Sequence, residues 1–460
     1  MYRVPFVLLA ALVACVPSRS ELRSPVDADL AKRLGAPAIV DGSNAQVAAL
    51  LERPIDRENA VKIALANNPR LRAAFADLGI AGGEFAEAIG LGPLDVGLDL
   101  RFGGKTPEGN RLYEVELDVV QNLIGLVTAP RLRAAARADL AAARATAAAT
   151  ALRLAGKVEM AFHDLIAAQQ ELELRRTAFD AADAAATVRE RMHDAGNTSD
   201  LAQARDRDAR EQARVDLGRA EANVEVAREQ LNALLGLSGD QTKWTAAGTL
   251  ADLPAAAPAL DDLETAAVAA SLDLKSGTSS VEGAANRAGA EGLRAFLPDF
   301  GVGVSVVNHG AGLEIGPALR FGFPLFDQRA GQRARANARL ARAEHERTAI
   351  AVELRANARA TRITALAAYQ EARHLRDVVL PLRQQIVDQT LLHYNAMDAN
   401  PFELIVARRQ LADAGHQYLD ALRRYWNATS EVLALRRGVS LGAVAPIPMG
   451  GDAADEPSTH

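Results

Sequence analysis

Eight histidines, at positions 163, 193, 309, 345, 374, 393, 416 and 460, are the chain's main stock of metal-ligating and proton-transferring groups. None stands at the His-x-x-x-His or His-Glu-x-x-His spacing that sets two imidazoles on one helix face. There is no phosphate-binding glycine loop, and the single cysteine, Cys15, excludes an intrachain disulfide. These residues argue against an enzyme, and no metal site or cofactor is expected. The carboxylates are more informative. Asp95 and Asp99, then Glu114, Glu116 and Asp118, alternate with apolar residues. That spacing puts them on one face of a strand pair, either as plain solvated groups or as a negative field that favours cations.

The elements that carry them read clearly. In 94–102, Leu94, Val96, Leu98, Leu100 and Phe102 alternate with polar residues and glycine. After a turn rich in Gly, Pro and Asn, Tyr113, Val115, Leu117 and Val119 alternate with Glu114, Glu116 and Asp118. Period-two alternation around such a turn predicts a β-hairpin. The pattern recurs later: Phe300, Val302, Val304 and Val306 lead through 308–312 to Leu313, Ile315, Leu319, Phe321, Phe323 and Leu325. Strands of about 9–11 residues are long enough to cross a membrane on a tilt.

Each hairpin feeds a long helical arm. Leu404, Leu411, Tyr418, Tyr425 and Val432 are spaced by seven, beside a second row of Ala407, Ala414, Ala421, Ala428 and Leu435. Leu217, Val224 and Leu231, with Ala213, Ala220 and Leu234, repeat that skeleton in the first half. An internal repeat of this kind predicts two similar helical hairpins packed through seams that admit close approach. The first arm is expected from Pro130 to about Met192, with Val158, Leu165, Leu172 and Phe179 on its seam, returning over 201–235. The second runs to about Tyr394, reverses at a turn containing Pro401 and ends near Arg437. Arms of about 60 residues have a reach of roughly 90 Å.

The expected organisation is a signal peptide at 1–14, an irregular linker at 15–54, a first repeat at 55–236, a linker at 237–260, a second repeat at 261–438 and a disordered tail at 439–460. The strands fall at about 93–123 and 299–325, and the hairpin helices at about 130–235 and 328–437. Within 261–294, Gly277, Gly283 and Gly289 are expected to interrupt a weak helix. A net charge of −6 gives no basic footprint for nucleic acid.

Four strands with one apolar face cannot hide their edges in a bilayer, and bacterial membrane barrels need at least about eight. The chain is therefore expected to pool strands with copies of itself. At the front, Leu12-Val13-Ala14-Cys15 resembles the lipobox of bacterial lipoproteins, which implies acylation of Cys15; an ordinary signal peptide containing a cysteine is the alternative. Val16 follows it, so no inner-membrane retention signal is implied.

Ile55-Asp56-Arg57-Glu58-Asn59-Ala60, with Ala64-Leu65-Ala66-Asn67-Asn68-Pro69-Arg70-Leu71, resembles the opening helix motif of the TolC-type outer-membrane factors of bacterial efflux and secretion systems. Phe323-Pro324-Leu325-Phe326-Asp327 is similar to that family's strand-to-helix junction, and Leu234-Leu235-Gly236 to the end of its first returning helix. Gln121-Asn122-Leu123-Ile124 resembles the junction of its heavy-metal branch. The resemblance spans roughly 55–438.

It implies a mainly α fold with a membrane β-barrel part: a homotrimer with a twelve-stranded barrel in the outer membrane and an α-helical barrel in the periplasm. It implies passive conduction, with a periplasmic adaptor and an inner-membrane pump of the RND type as partners and outer-membrane lipid around the barrel. The acidic strand face then becomes the barrel lumen and leans towards metal cations over drugs. The helix turns, Gly196, Asn197, Thr198 and Ser199 with Met397, Asp398, Asn400 and Pro401, would dock the adaptor. Asp200 and Tyr394 would be gate residues. Ala399 stands where the family's usual arginine partner falls, so Asp206 and Asp208 with Arg408 and Arg409 are further gate candidates. The alternatives are a periplasmic coiled-coil lipoprotein acting as adaptor or spacer, and an exit duct for type I protein secretion.

Overall fold

The computed structural model describes residues 17–35, 44–89, 95–105, 111–296, 299–308, 313–322, 329–398 and 401–442. The chain is mainly helical, with one antiparallel sheet. Helices α1 (Arg19–Leu34), α2 (Asn44–Leu51), α3 (Arg57–Asn67) and α4 (Pro69–Ile89) precede strands β1 (Asp95–Lys105) and β2 (Arg111–Asn122). Helices α5 (Leu123–Asp194) and α6 (Asp200–Leu235) form the first hairpin. Helices α7 (Leu263–Ala270) and α8 (Leu272–Phe296) lead to β3 (Asp299–Asn308) and β4 (Leu313–Gly322). Then α9 (Ala330–His374), a π-helical turn at Leu375–Val379 and α10 (Leu380–Asn395) make the outgoing arm of the second hairpin, and α11 (Pro401–Arg437) returns.

The chain divides into two compact units. One contains Ala74–Ala148 and Leu272–Ala351, and with them the sheet; the other contains Asp29–Ala73, Ala149–Ser271 and Val352–His460. In the first, the strands follow one another in the order β1-β2-β3-β4. β2 of the first half pairs directly with β3 of the second, from Val115↔Asn308 to Asn122↔Gly301. The two halves thus share one sheet, whose outer strands are β1 and β4.

In the second unit the heptad rows bury as their spacing demands. Ala407, Ala414, Ala421, Ala428 and Leu435 are all buried, as are Tyr425 and Val432 of the companion row. Ala428, Val432 and Leu435 close a core with Leu354, Ala358 and Ala365 of α9 and Leu263 and Ala267 of α7. Alanine seams let helices pack close at little cost in side-chain entropy. In the first half the second row drifts at its end, where Leu235 rather than Leu234 is fully buried.

Several boundaries differ from the sequence expectation. Residues 15–54 were expected to be an irregular linker, but they contain α1 and α2. Leu22, Val26 and Leu30 recur every four residues and form a buried stripe that the internal Pro25 disguises. The first arm starts at Leu123, upstream of Pro130, which lies inside α5. The glycines of α8 do not interrupt it. The second arm is locally widened at Leu375–Val379 instead of running as a uniform α-helix. Residues 439–442 are not loose: Val439 is buried, and Ser440 Oγ and Leu441 N–H both donate to Glu431 at 3.1 Å. Cys15, Leu94, 323–328, Asn400 and 443–460 lie outside the described residues.

Candidate functional site: a two-faced sheet and two hairpin tips

The register sorts the sheet into two faces. Leu98, Leu117, Val306 and Ile315 stand in line across the four strands, and Val96, Val119, Val304 and Pro317 in the next line. Val96, Leu98, Leu117, Val304 and Ile315 are solvent-exposed in the lone chain, Ile315 at 68%, as is Phe102 on the same face at 82%, while Val119 and Val306 are half-buried. Among the described residues no helix is long and apolar enough to cross a membrane. The sheet itself presents a continuous row of exposed apolar side chains, Val96, Leu98, Leu100 and Phe102 on β1 with Leu313, Ile315, Leu319 and Phe321 on β4.

The opposite face carries Asp95, Asp99, Glu114, Glu116 and Asp118 from β1 and β2. It continues through Gly301, Gly303, Ser305 and Val307 to Glu314, Gly316, Ala318 and Arg320. Carboxylate oxygens of Asp99, Glu116 and Asp118 lie within 4.8 Å of one another. Arg101 offsets part of this charge, donating to Glu114 at 3.0 Å and Glu116 at 3.5 Å, and Ser305 Oγ donates to Glu116 at 3.2 Å. Within the regular register this face still holds seven carboxylate positions, Asp299 and Glu314 included, against two arginines. The second hairpin contributes small residues here, which leave the space above the face open. Gly303 has a further role: a Cβ there would overlap the Val119 carbonyl, so β2 and β3 approach each other only with glycine at that point.

The two helical tips are built alike. In the first, Asn197 N–H donates to the Met192 carbonyl at 2.8 Å and Gly196 N–H to that of His193 at 2.8 Å. In the second, Asp398 N–H donates to the His393 carbonyl at 2.9 Å and Met397 N–H to that of Tyr394 at 3.0 Å. Both are Schellman caps, which require a left-handed residue. Gly196 supplies it with φ 73°, and Met397 with φ 60°. A methionine in that conformation is strained, and its side chain is 95% exposed. Each tip also clasps an aspartate with a histidine: His193 Nε2 lies 2.7 Å from Asp200 and His393 Nδ1 2.9 Å from Asp398. The alternating charge along the arms gave no direct sign of these pairs.

The expected gate residues separate. Asp200 is exposed in the first turn of α6, and Ser199 rather than Asp200 is the N-cap, its Oγ accepting from Ala202 N–H at 3.3 Å. Asp206 is buried against Arg189 of α5, at 2.6 Å, and Arg189 also donates to Thr198 at 3.1 Å. That pair sits inside one hairpin, so Asp206 does not meet Arg408 or Arg409 within the chain. Asp208, Arg408 and Arg409 are exposed, and among the described residues no ion pair joins them. Tyr394 is exposed near a groove of 620 Å³ on α10, lined by Leu382, Ile386, His393, Asp398 and Glu403 among others.

Sequence reasoning singled out Asn67-Asn68-Pro69 and Leu234-Leu235-Gly236 separately, and the fold brings them together. Asn68 Oδ1 caps α4 by accepting from Arg70 and Leu71 N–H at 2.9 and 3.1 Å. Its Nδ2 donates to the Leu234 carbonyl at 2.8 Å. Asn67 Nδ2 donates to the Gly236 carbonyl at 2.7 Å. Gly236 takes φ 71° to end α6, and a Cβ there would meet Asn67 O and Pro69 Cδ at 3.0 Å.

This architecture, a shared four-stranded sheet with two long helical hairpins, is the fold of the bacterial outer-membrane channels, as the resemblance to TolC-type factors led us to expect. The chain is similar to the outer membrane protein VceC of Vibrio cholerae (TM-score 0.69, 16% identity, covering 86% of this chain and 97% of that one). It is also similar to the Campylobacter jejuni CmeC outer membrane channel (0.67, 14%, 84% and 87%) and to CusC, a protein that undergoes transmembrane channel formation (0.61, 18%, 86% and 92%). No protein-family model and no curated protein matches the sequence.

Proposed function

We propose that this chain is an outer-membrane channel, the passive exit duct of a tripartite efflux system, working as a homotrimer. One observation carries the reading: a four-stranded sheet with an exposed apolar face, a charged opposite face and unpaired outer strands. Such a sheet is stable in a bilayer only when closed into a barrel. Two chains would supply eight strands, whose interior side chains fill. Three supply twelve, enough to enclose a duct. The spacer reading has no use for the apolar face.

In this reading an inner-membrane pump, of the RND type, and a periplasmic adaptor deliver the cargo. The adaptor docks on the tips, Gly196 to Ser199 and Met397 to Pro401, beside the groove on α10. Asp200 and Tyr394 belong to the gate, and Cys15 anchors the mature chain to lipid. The surplus carboxylates of the lumen favour cationic cargo, metal cations included, over anions.

The test is conductance of the detergent-extracted trimer in planar bilayers. The expected result is ohmic channels that select cations, with the cation-to-anion permeability ratio falling when Asp99→Asn, Glu116→Gln and Asp118→Asn are combined. A monomer released from membranes without detergent would overturn the assignment. Sensitivity of a deletion strain to organic drugs alone would overturn the cation preference.

A further inference from the structure

The arginines beside the sheet are not absorbed by conduction, docking or gating. Arg287 and Arg294 of α8, Arg329 preceding α9, and Arg335 and Arg339 on α9 line one groove of 400 Å³, against a single lining carboxylate, Glu291. Asp139 holds Arg287 and Glu291 holds Arg294. Arg335 and Arg339 have no ion-pair partner among the described residues. They lie one and two turns into α9, and Leu132, which also lines the groove, stands on α5 about 15 Å of helix rise beyond Asn122 at the end of β2.

A second groove, of 860 Å³, shares Leu132, Arg287 and Arg294 with the first. It runs past Leu126 and Ala129 to Gln121. Gln121 continues the row Val115, Leu117, Val119 on β2, so it lies on the apolar side of the sheet. Leu126 and the neighbouring Val127 are each more than half exposed. The second groove also contains Glu84, Glu87 and Asp139, which balance its arginines. The uncompensated positive charge is therefore in the first groove, and an apolar path leads from the shared arginines to the apolar face.

We infer that this paired groove binds an anionic membrane phospholipid, its phosphate held by Arg335 and Arg339 beside Arg287 and Arg294 and an acyl chain lying along Leu126 towards the strands. The inference rests on the outer-membrane reading, because only a chain seated in a bilayer meets such a lipid at this height. Arginine suits a phosphate ligand because its planar fork meets two phosphate oxygens at once. Basic pockets beside membrane-spanning elements are natural headgroup sites.

The test uses the full-length detergent-extracted trimer, delipidated and then given phosphatidylglycerol or phosphatidylcholine, with bound lipid counted by native mass spectrometry. The expected result is one phosphatidylglycerol per chain and weaker phosphatidylcholine binding. Arg335→Gln with Arg339→Gln should lower phosphatidylglycerol affinity by about tenfold or more. Arg335→Lys with Arg339→Lys, which keeps the charge and loses the fork, should fall between. Arg342→Gln, at a residue already paired with Glu346 on the same helix, should change nothing.

Equal binding of the two lipids overturns the inference, and so does unchanged binding in the glutamine variant. Complete displacement by millimolar inorganic phosphate would make this a free-phosphate site and refute the lipid assignment. Loss of the trimer in both double variants would reassign the arginines to contacts between copies. Conductance of the same preparation separates the two levels: channels without bound phosphatidylglycerol refute the lipid site alone, whereas no bilayer insertion refutes the channel reading itself.

Discussion

Asn68 joins three helix ends, and its removal should open all of them. The side chain is 5% exposed. Its carbonyl caps α4, and its amide satisfies Leu234 O at the end of α6, a carbonyl with no helical donor of its own. Asn68→Ala removes an N-cap, about 1 kcal/mol, and strands a part-buried carbonyl, about 1–3 kcal/mol. The junction should therefore lose about 3 kcal/mol, which raises the exchange rate of amides that open with it by about a hundredfold. Asn68→Ser separates the two contributions, since a serine oxygen still caps α4 but donates nothing to Leu234. Hydrogen–deuterium exchange on the intact protein gives the readout. In Asn68→Ser, Arg70 and Leu71 should stay protected while the amides at 234–237 exchange about tenfold faster. If Asn68→Ala speeds neither group more than about threefold, the junction is held by something else. If the serine and alanine variants are alike at Arg70 and Leu71, the capping assignment is wrong.

Met397→Gly should relieve the left-handed strain and stabilise the second tip by about 1 kcal/mol, seen as slower exchange at 393–398; unchanged exchange would mean the methionine is not strained. Arg189→Ala leaves Asp206 buried without its cation and should cost about 3 kcal/mol, much of it recovered in Arg189→Ala with Asp206→Ala; equal melting temperatures of single and double variants would refute this. Burial, reinforced by nearby Arg57, pulls the His163 pKa down to about 4. The unfolded chain takes that proton first, so stability should fall as pH drops from 6.5 to about 4, by roughly 3 kcal/mol. His163→Gln should remove that part of the slope, and a melting profile identical to wild type would sink the argument. His416 behaves oppositely: its hydrogen bond to Glu171 raises its pKa, so its stabilisation is complete below pH 6.5 and lost as pH rises through the raised value. His416→Gln should flatten the profile above pH 6.5, and an unchanged slope there would refute it.

The strands, the arms and both turns were legible because each rests on a short period: two in Leu94 to Phe102, seven in Leu404 to Val432. The tips were legible from Gly196 and the residues around Met397. The first helices were missed because α1 carries only three buried large residues and a proline. The charge pairs were not legible for a different reason. Asp206 has arginines within a few residues on either side and others across the hairpin, and only packing decides that Arg189 is its partner. Gly303 read as one more polar-face residue until the register placed it opposite Val120, with the Val119 carbonyl where a Cβ would stand. The π-helical turn at Leu375–Val379 leaves no mark in composition at all.

The direct pairing of β2 with β3 gives assembly a direction. The two outer strands belong to opposite halves of the chain and are unlike, so β4 of one copy can meet β1 of the next with the strands of both sheets running in the same sense. A twofold pairing of like edges would instead reverse the sheet from one copy to the next. In the barrel reading proposed above, joining would be head to tail, a mode that closes into a ring only at one rotation per step and otherwise propagates as an open ribbon. Until the ring closes, each growing oligomer still exposes one vacant edge of each kind. On that reading, a cell that makes this chain would have to keep copies apart or deliver them quickly to the membrane, because the same edges that complete the ring would template misassembly in water.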